Sequence, residues 1–377
     1  MSAIGQHLMA IFQAGVDAVS GKSVVKKALL SGAYPDAFHA VAIGKAADAM
    51  LQGVPQDSIK SGLLISKHGH ISRRSRQDSR LLCIESDHPV PGVASLQAGQ
   101  SLIAYLENLA EHEACLFLIS GGASALVEVL REGYGLSDLQ RLNERLLADG
   151  FAIGEINAER RKISRIKGGG LWDYLGKRDV SCLMISDVAN DDPAVIGSGL
   201  LFPAPQNRKL NWQIVASLED AKQAAAQKAR ELGYKTVAVP EFLKGSAEQA
   251  AIKCVAILKE NPGIMFIWGG ETTVNLPENP GKGGRNQHLA LMAAIEMSGL
   301  KNCSLLAAGT DGSDGNTLAT GAIVDNETVE KATSQGLDSN AYLQNANSNA
   351  LFAQTDELLI TGATGTNVMD LIIGIYN

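Results

Sequence analysis

The chain alternates short apolar runs with longer helix-like segments, and half of the apolar runs end in glycine-rich turns. Ten runs have the length and composition of strands: 38–43, 62–66, 81–85, 115–119, 182–186, 212–216, 236–240, 264–268, 303–307 and 357–361. Most are continuous rather than alternating, as strands buried on both faces are. Segments rich in Ala, Leu, Glu, Lys and Gln lie between them, most clearly at 95–110, 219–232 and 246–260. This alternation predicts an α/β fold with βαβ units and mostly parallel sheets.

A length of 377 residues suits two domains. The stretch 197–207 is punctuated by Gly and Pro and precedes a fresh series of strands and helices, so we place a boundary after residue 208. The apolar segment after Thr366 is expected to pack on a domain.

Charge and cysteine usage exclude several classes of protein. The formal net charge is −7, and the one basic cluster, within 73–80, lies in a polar stretch, so we expect no nucleic-acid partner. We also expect no membrane span, because no apolar run approaches the necessary length. None of the five cysteines forms a CxxC pair, and each borders an apolar run. They are typical of buried thiols in a soluble cytoplasmic protein.

The 39 glycines cluster in turns, and this clustering is the main functional signal. Five turns follow predicted strands, where open α/β sheets bind their ligands: 44–47, 120–124, 269–273, 309–315 and 361–367. Two more lie at 167–170 and 281–287. Glycine turns expose backbone N–H groups to phosphates. Any single turn could equally begin a helix without a ligand, but their number favours a phosphate-binding site.

Two common nucleotide fingerprints are absent. The Walker A pattern fails because Val16 stands where the first glycine would precede Gly21-Lys22-Ser23. The dinucleotide pattern GxGxxG fails because Phe202 stands where the third glycine would follow Gly197-Ser198-Gly199. A nicotinamide cofactor is therefore disfavoured.

Two cationic residues lie at positions that ligand binding explains better than solvent exposure does. Lys45 follows strand 38–43 and opens a helix-like segment, and Arg285 opens another after a Gly-Gly turn. Cations are electrostatically disfavoured at helix N-termini, so a solvated side chain explains neither position well. A lysine can reach a phosphate as a point charge, and a guanidinium suits bidentate binding of phosphate or carboxylate.

Carboxylates in or beside the turns could hold Mg²⁺ or accept a proton, as phosphoryl transfer requires. They are Asp187, Asp191, Asp192, Glu271, Asp311 and Asp314. An Asx-type turn explains Asp311 and Asp314 equally well. Either Asp187 or Asp311 could be the metal ligand or the base. His68 and His70 lack a third metal ligand at usable spacing.

Taken together, the motifs resemble those of the type-2 glycerate kinases, which combine a glycerate-kinase region with a C-terminal MOFRL domain. The matching stretches run from about residue 5 to the end: 42–47, 88–91, 120–126, 155–157, 161–169, 186–188, 191–192, 196–199, 269–272, 283–287, 308–315 and 361–368. The resemblance implies a larger Rossmann-like domain over 1–208, with a mostly parallel sheet covered by helices on both faces. It implies a smaller α/β MOFRL domain over 209–377, whose last residues could return to the first domain, and an active site in the cleft.

The resemblance also implies the activity: D-glycerate is phosphorylated to 2-phosphoglycerate, with ATP and Mg²⁺ as cofactors. We expect the protein to be a monomer or a homodimer. The expected catalytic residues are Lys45, Arg285 and Asp187, and the expected metal ligands are Asp187 and Asp311. The expected nucleotide-binding residues are Ser120, Gly121, Gly122, Ser124, Lys167, Gly270, Glu271, Gly309, Thr310, Asp311, Gly312 and Asp314. The chain departs from the family pattern at Ala123, where a glycine is expected, and at His288, where a glutamate is expected.

Two other functions remain open at this point. The first is an NAD(P)-dependent hydroxypyruvate reductase, which the absent GxGxxG disfavours. The second is a non-catalytic sensor of a sugar phosphate or nucleotide. The cations and carboxylates found in both halves of the chain argue against a sensor.

Overall fold

The chain forms two compact units. The computed structural model describes the backbone of residues 2–148 and 153–377, and the side chains of 2–142 and 158–377. The parallel-sheet unit comprises Ser20–Ser217 and Gly365–Asn367. The mixed-sheet unit comprises Met1–Val19, Leu218–Thr364 and Val368–Asn377. Each unit takes its name from its sheet.

Helix α1 (Ala3–Ala18) belongs to the mixed-sheet unit, although the sequence that follows it builds the other unit. It buries Leu8, Ile11 and Phe12. Gly15 lies so close to the helix Leu218–Glu231 that a Cβ atom there would be 3.0 Å from the carbonyl oxygen of Ala221. The observed units therefore differ from the predicted ranges 1–208 and 209–377, because α1 packs on the helix Leu218–Glu231.

The segment Ala3–Ser31, which holds α1 and α2 (Gly21–Ser31), is long and apolar enough by composition to span a membrane. This differs from the expectation that no run approaches that length. In its most apolar window, 44% of the residues are buried within the structure. A single such stretch is weak evidence, since a helix in a protein core meets the same criterion.

The sheet of the parallel-sheet unit has six strands in the order β3-β2-β1-β4-β5-β6, and every adjacent pair is parallel. The strands are β1 (Phe38–Ile43), β2 (Ile59–Lys67), β3 (Leu81–Ser86), β4 (Cys115–Ile119), β5 (Val180–Ile185) and β6 (Leu210–Ala216). β1, β4 and β5 are buried along their whole length, which explains why their sequences are continuously apolar. The strand order is that of a doubly wound fold, and it reverses between β1 and β4.

Helices and short turns connect these strands. The further helices of this unit are α3 (Ala47–Gln52), α4 (Arg73–Gln77), α5 (Val93–Glu107), α6 (Ala123–Leu126), α7 (Leu136–Ala148) and α8 (Ile153–Ile163). Short 3₁₀ turns cover Gln56–Ser58, Gly170–Tyr174 and Ile196–Ser198. Val41, Leu63, Phe117 and Trp172 belong to the apolar core on one side of the sheet. The motif 155–157 lies in α8, and its side chains are outside the described residues.

The mixed-sheet unit contains a second six-stranded sheet, in the order β11-β10-β9-β12-β8-β7. Its strands are β7 (Lys235–Ser246), β8 (Ile264–Thr273), β9 (Cys303–Gly309), β10 (Gly321–Asp325), β11 (Leu358–Leu359) and β12 (Asp370–Tyr376). Only β7 and β8 pair in parallel among these described strands. The prediction of mostly parallel pairing is therefore wrong for this sheet, because β10 and β12 were not recognised as strands.

The helices of the mixed-sheet unit pack on this sheet and on one another. They are α9 (Leu218–Glu231), α10 (Ala247–Glu260), α11 (Arg285–Met297), α12 (Thr328–Ser334), α13 (Ser339–Gln344) and α14 (Ser348–Thr355), together with α1. The segment after Thr366 was expected to pack on a domain, and most of it forms the buried strand β12, hydrogen-bonded between β8 and β9. This strand therefore lies in the mixed-sheet unit, whereas the short piece Gly365–Asn367 before it belongs to the parallel-sheet unit.

Candidate active site

Two of the predicted turns meet where the strand order of the parallel sheet reverses. The turn after β1 carries Lys45, and the turn after β4 carries Ser120 and Gly121. The backbone N–H of Lys45 donates to the carbonyl of Gly121 (2.9 Å), and the N–H of Ala46 donates to Ser120 Oγ (3.0 Å). Open α/β sheets bind ligands at such a reversal. These bonds therefore fix the backbone of Lys45 at the expected binding edge.

The close approach of the two turns requires glycine at position 44. Gly44 has φ = 134°, and a Cβ atom there would lie 2.6 Å from the carbonyl oxygen of Ser120. A larger residue would separate the turns and move Lys45 away from Gly121. The glycine is thus explained by packing between the turns, without a ligand.

Gly121 makes room for the carboxylate of Asp187, which follows β5. A Cβ atom on Gly121 would lie 2.5 Å from the carboxyl carbon of Asp187 and would also collide with the amide of Asn367. Asn367 Nδ2 donates to Asp187 Oδ2 at 3.3 Å. The structure therefore brings Asp187 beside the Ser120–Gly122 turn, as the position of each at a strand end suggested.

Gly122 adopts a left-handed conformation with φ = 85°, and His88 and Lys45 lie beside it. A Cβ atom on Gly122 would be 3.1 Å from the ring of His88 and 3.2 Å from Cγ of Lys45. His88 follows β3 and was not among the predicted site residues. Its signal in the sequence was the motif His88-Pro89-Val90-Pro91, which matched the family but suggested no role.

Ser124 belongs to a polar cluster that the sequence did not reveal. Its Oγ lies 2.6 Å from Ser198 Oγ and accepts a hydrogen bond from Arg160 Nη1 at 3.3 Å. Burial lowers the pKa of Arg160, although the charge of Glu128 opposes this effect. A half-buried guanidinium beside two hydroxyls can bind an anionic group.

The structure does not offer Lys167 as a nucleotide contact. Its ammonium forms an ion pair with Glu128, and both side chains are fully buried. Glu128 also accepts from Ser164 Oγ (2.6 Å) and from the N–H of Val129 (3.0 Å). Burial lowers the pKa of Lys167, an effect that the charge of Glu128 opposes. Lys167 thus stabilises the fold around its turn, and nothing in the sequence near it indicated Glu128 as its partner.

Ala123, where the family pattern has glycine, is buried and touches the next turn closely. A Cβ atom on Gly197 would be 3.2 Å from the methyl group of Ala123. The additional methyl group is therefore accommodated by a glycine at position 197.

Arg285 is the first residue of α11 in the mixed-sheet unit, and two carboxylates hold it. Its Nε and Nη2 donate to the two oxygens of Asp370 at 2.6 and 3.0 Å. Its Nη1 lies 2.8 Å from Glu271 Oε1. Although burial alone would lower the pKa of Arg285, Asp370 and Glu271 raise it. The guanidinium is fully charged and orientated, and the exposed Glu271 is the partner that an anionic ligand could displace.

Asp370 was missed by the sequence reasoning, because its role depends on strand register. It begins β12 and faces Gly270 of β8 and Gly309 of β9. This register places it between the ends of two strands that precede predicted turns. Gly270 itself lies against β7, since a Cβ atom there would be 2.7 Å from the carbonyl carbon of Leu243.

Asp314 caps α11 rather than facing solvent. Its carboxylate accepts from the backbone N–H groups of Asn286 (3.1 Å) and Gln287 (2.8 Å) and from the side-chain amide of Gln287 (2.9 Å). Burial raises the pKa of Asp314 to about 6, against the lowering effect of these hydrogen bonds. It supplies the negative charge that the N-terminus of a helix favours and thereby positions Arg285.

Most of the predicted 309–315 loop is explained by contacts within its own unit. Asp311 Oδ1 accepts from the N–H (2.9 Å) and hydroxyl (3.0 Å) of Ser313, which is the Asx-type turn that was the alternative to a ligand. Thr310 donates its hydroxyl to the carbonyl of Met369 at 2.6 Å. Gly312 has φ = 85°, and a Cβ atom there would be 2.8 Å from the carbonyl carbon of Gly362. The backbone N–H groups of Gly309 and Thr310 also donate within the unit, to the carbonyls of Thr320 (2.8 Å) and Met369 (2.9 Å).

The residues that the structure describes contain no group of three or more His, Cys, Asp or Glu side chains able to hold a metal ion. Mg²⁺ in phosphate sites usually uses one or two carboxylates and several waters. Asp187 and Asp311 therefore remain predicted ligands.

The five cysteines are unpaired, and all except the half-buried Cys83 are buried. This agrees with the expectation of reduced structural thiols. Burial raises the pKa values of Cys115 and Cys303 to about 11 and of Cys254 to about 12.

Comparisons with known proteins agree with the fold and the motifs. Residues 7–232 match the model of a domain of unknown function, DUF4147, and residues 264–370 match the MOFRL family. A D-glycerate 2-kinase of Thermotoga maritima is 34% identical over 89% of this chain and 89% of its own. An Agrobacterium vitis relative with a provisional hydroxypyruvate reductase name is 33% identical over 88% of this chain and 97% of its own. The crystal structure of a T. maritima glycerate kinase superposes with a TM-score of 0.86 at 30% identity, covering all of both chains.

Proposed function

This chain belongs to the family that joins a DUF4147 region to a MOFRL domain, and we propose that it is a glycerate 2-kinase that phosphorylates D-glycerate to 2-phosphoglycerate. The observation that carries the proposal is the edge of the parallel sheet where the turns of Lys45 and Gly121 are hydrogen-bonded and Asp187 lies against Gly121. This arrangement offers a cation, backbone N–H groups and a carboxylate where a doubly wound sheet binds its ligands.

A kinase requires a nucleotide, and we assign that role to ATP with Mg²⁺. In the parallel-sheet unit, the N–H groups of Gly121 and Gly122 and the hydroxyl of Ser124 would bind phosphate oxygens, whereas the N–H of Ser120 donates to the carbonyl of Ile43. In the mixed-sheet unit, the N–H groups of Gly309 and Thr310 already donate to carbonyls of that unit, so the 309–312 loop would support neighbouring residues, as Gly270 and Asp314 do. Mg²⁺ would neutralise charge on the phosphates, with Asp187 or Asp311 among its ligands. Lys167 is left out, because its ammonium is buried against Glu128.

The two cations have separate roles in this proposal. Lys45 would stabilise negative charge on the transferring phosphoryl group. Arg285 is held by Asp370 and would bind an anionic group of a substrate, which would displace Glu271 from the guanidinium. A guanidinium with one side occupied by a buried carboxylate still presents a second edge to a ligand.

The reaction itself is a displacement at phosphorus. The acceptor hydroxyl gives its proton to a carboxylate, for which Asp187 is our first choice. Its oxygen then bonds to the γ-phosphorus while the bond to the β–γ bridging oxygen breaks, and ADP leaves. Positioning and charge stabilisation account for catalysis of this kind, so no covalent enzyme intermediate is needed.

We also place the enzyme in the cytoplasm, with small molecules as its partners. The unpaired cysteines support this location. A nicotinamide-dependent reductase would need a GxGxxG turn, which the sequence lacks; Gly197 instead lies within the 3₁₀ turn Ile196–Ser198, and Gly199 directly follows it. Oxidation of NADH by hydroxypyruvate in the absence of ATP would favour that rival, and tight nucleotide binding without turnover would favour a sensor.

The test is ATP consumption with D-glycerate, followed by phosphorus NMR of the product. We expect 2-phosphoglycerate, and at least a hundredfold lower kcat/KM in Lys45→Ala and in Arg285→Ala. The matched controls are Lys26→Ala and Arg230→Ala, which remove exposed cations of the same two units. Activity within tenfold of wild type in the first pair would contradict the assigned roles, and no phosphorylated product from the wild type would contradict the function.

A further inference from the structure

Ser198 of the parallel-sheet unit has a side chain at a position whose backbone favours glycine. It adopts a left-handed conformation with φ = 60°, as do its neighbours Gly197 (58°) and Gly199 (66°). Glycine adopts this conformation without strain, whereas a Cβ atom makes it unfavourable. Strained residues of this kind cluster at binding and active sites, where the surrounding structure holds them. A serine between two glycines therefore indicates that its hydroxyl is needed at this place.

A buried ion pair holds Ser198 in this conformation. Lys167 and Glu128 pair in the core, and both side chains are fully buried. The turn that follows Lys167 is bonded to the strained residues: the N–H of Gly168 donates to the carbonyl of Ser198 (3.1 Å), and the next N–H along the chain donates to the next carbonyl (2.7 Å). The ion pair thus fixes the turn, and the turn fixes Ser198.

The hydroxyl of the buried Ser198 contacts Ser124, which is only partly buried. Their two Oγ atoms lie 2.6 Å apart. Ser124 Oγ also accepts a hydrogen bond from Nη1 of the half-buried Arg160 at 3.3 Å. A serine hydroxyl can accept two hydrogen bonds and donate one. When Ser198 and Arg160 both donate to Ser124, the proton of Ser124 is directed to a ligand that supplies an acceptor.

The turn over residues 120–124 has a cationic side chain near each end. Lys45 Cγ is 3.2 Å from the place that a Cβ atom on Gly122 would take, and Arg160 contacts Ser124. The phosphates of a nucleotide carry several negative charges, whereas the carboxylate of a hydroxy acid carries one, so two cations beside one turn suit the phosphates. Partial burial strengthens the attraction, because a charge is less screened away from bulk water. A guanidinium has five N–H donors and can bond Ser124 and a phosphate oxygen together.

We propose that Arg160 and Ser124 together bind phosphate oxygens of the nucleotide, and that Ser198 is a positioning residue that orientates the Ser124 hydroxyl. Lys45 then lies near one end of the bound phosphates and Arg160 near the other. The inference rests on the proposed kinase function, which it deepens by adding Arg160 and Ser198 to the phosphate site and by naming the anion that Arg160 holds.

The experiment separates nucleotide binding from acceptor binding. Titration calorimetry with ADP and Mg²⁺ is carried out on wild type, Arg160→Gln, Arg160→Lys and Ser198→Gly, and KM is measured for ATP and for D-glycerate. The matched control is Arg73→Ala, which removes an exposed arginine of the same unit. We expect Arg160→Gln to bind ADP about tenfold more weakly, or about 1.4 kcal/mol, with a matching rise in the KM for ATP. Arg160→Lys keeps a positive charge and should recover part of the affinity. The KM for glycerate should be unchanged in every variant.

Ser198→Gly tests the positioning role in a protein that still folds. Glycine relieves the left-handed strain, so the thermal midpoint should stay close to that of wild type. Because the variant loses the hydroxyl that orientates Ser124, its ADP affinity should fall about fivefold.

Several results would overturn the inference. ADP affinity within twofold of wild type in both Arg160→Gln and Ser198→Gly would do so and leave glycerate phosphorylation standing. A raised KM for glycerate with unchanged ADP affinity would mean that Arg160 holds the acceptor instead. Equal losses of ADP affinity in Arg160→Gln and Arg160→Lys would mean that the fit of the side chain matters rather than its charge. ADP binding that depends on Arg160 without glycerate phosphorylation would support the phosphate site and reject the kinase function.

Discussion

The substitution Gly121→Ala tests whether a glycine at position 121 is needed to hold the Asp187 carboxylate in its place beside the Ser120–Gly122 turn. The added methyl carbon would begin 2.5 Å from the Asp187 carboxyl carbon, whereas ordinary contact begins at 3.4 Å. Gly121 has no left-handed backbone that would itself resist alanine. The carboxylate or the turn must therefore shift by a large fraction of a bond length. A misplacement of about 1 Å at a reacting group costs about a hundredfold in rate, or about 2.7 kcal/mol.

The assay is kcat/KM with D-glycerate and ATP, together with the thermal midpoint. We expect a loss of about a hundredfold in Gly121→Ala and no change in Gly135→Ala, whose added carbon meets nothing nearer than 3.8 Å. If the effect acts through Asp187, then Gly121→Ala adds little in an Asp187→Ala background, because coupled residues are not additive. Full additivity of the two changes, or activity within threefold of wild type in Gly121→Ala, would refute the reasoning.

Three other predictions concern stability and thiol chemistry. Glu128→Gln leaves a buried ammonium without its counter-charge and should lower the free energy of unfolding by about 3–5 kcal/mol in urea titrations, while Glu128→Leu combined with Lys167→Met should recover most of the loss. The raised pKa of Asp314 means that the folded state binds its proton more tightly, so this residue's contribution to stability is full below about pH 4 and is lost as the pH rises through about 6. The unfolding free energy of wild type relative to Asp314→Asn should therefore fall by up to about 3 kcal/mol over that interval. A thiol reagent should modify only Cys83 in the native protein and all five cysteines in urea.

Each of these has a result that would contradict it. An equal loss of stability in the Glu128→Gln protein and in the apolar double variant would mean that packing, rather than the unpaired charge, matters. A wild-type advantage over Asp314→Asn that grows between pH 4 and 6 would have the wrong sign for a raised pKa. Rapid native modification of two or more thiols would show that the buried cysteines are accessible.

Most of the strands could be predicted from the sequence, because a strand buried on both faces is a continuous run of apolar residues. β1 and β4 coincide with the predicted runs 38–43 and 115–119. β12 escaped prediction because it begins with the charged Asp370, three positions after a glycine-rich turn, and its apolar residues were interpreted as a packed tail. Its place between β8 and β9 depends on pairings over sixty or more residues of sequence, which local patterns do not encode.

The same limit applies to the site. Lys45 and Gly121 could be found because each follows a strand, and the carboxyl ends of neighbouring parallel strands meet. Asp370 could not be matched to Arg285, since their contact depends on the register of β12. Lys167 resembled a phosphate ligand because three glycines follow it. Its partner in the structure is Glu128, which lies in an apolar run thirty-nine positions earlier in the chain. Charge pairing across a fold is decided by geometry that appears only after folding.

The placement of Asn367 has a consequence for the order in which the protein matures during synthesis. The parallel-sheet unit is encoded almost entirely by Ser20–Ser217, so that stretch can leave the ribosome and form its sheet early. The short piece Gly365–Asn367 follows about 150 residues later, which at 5–20 residues per second is a delay on the order of ten seconds or more. Until then Asp187 lacks the amide that contacts it. A nascent chain would therefore hold a folded parallel sheet whose candidate site lacks Asn367, and Asn367 would arrive together with β12, the strand that pairs with both β8 and β9.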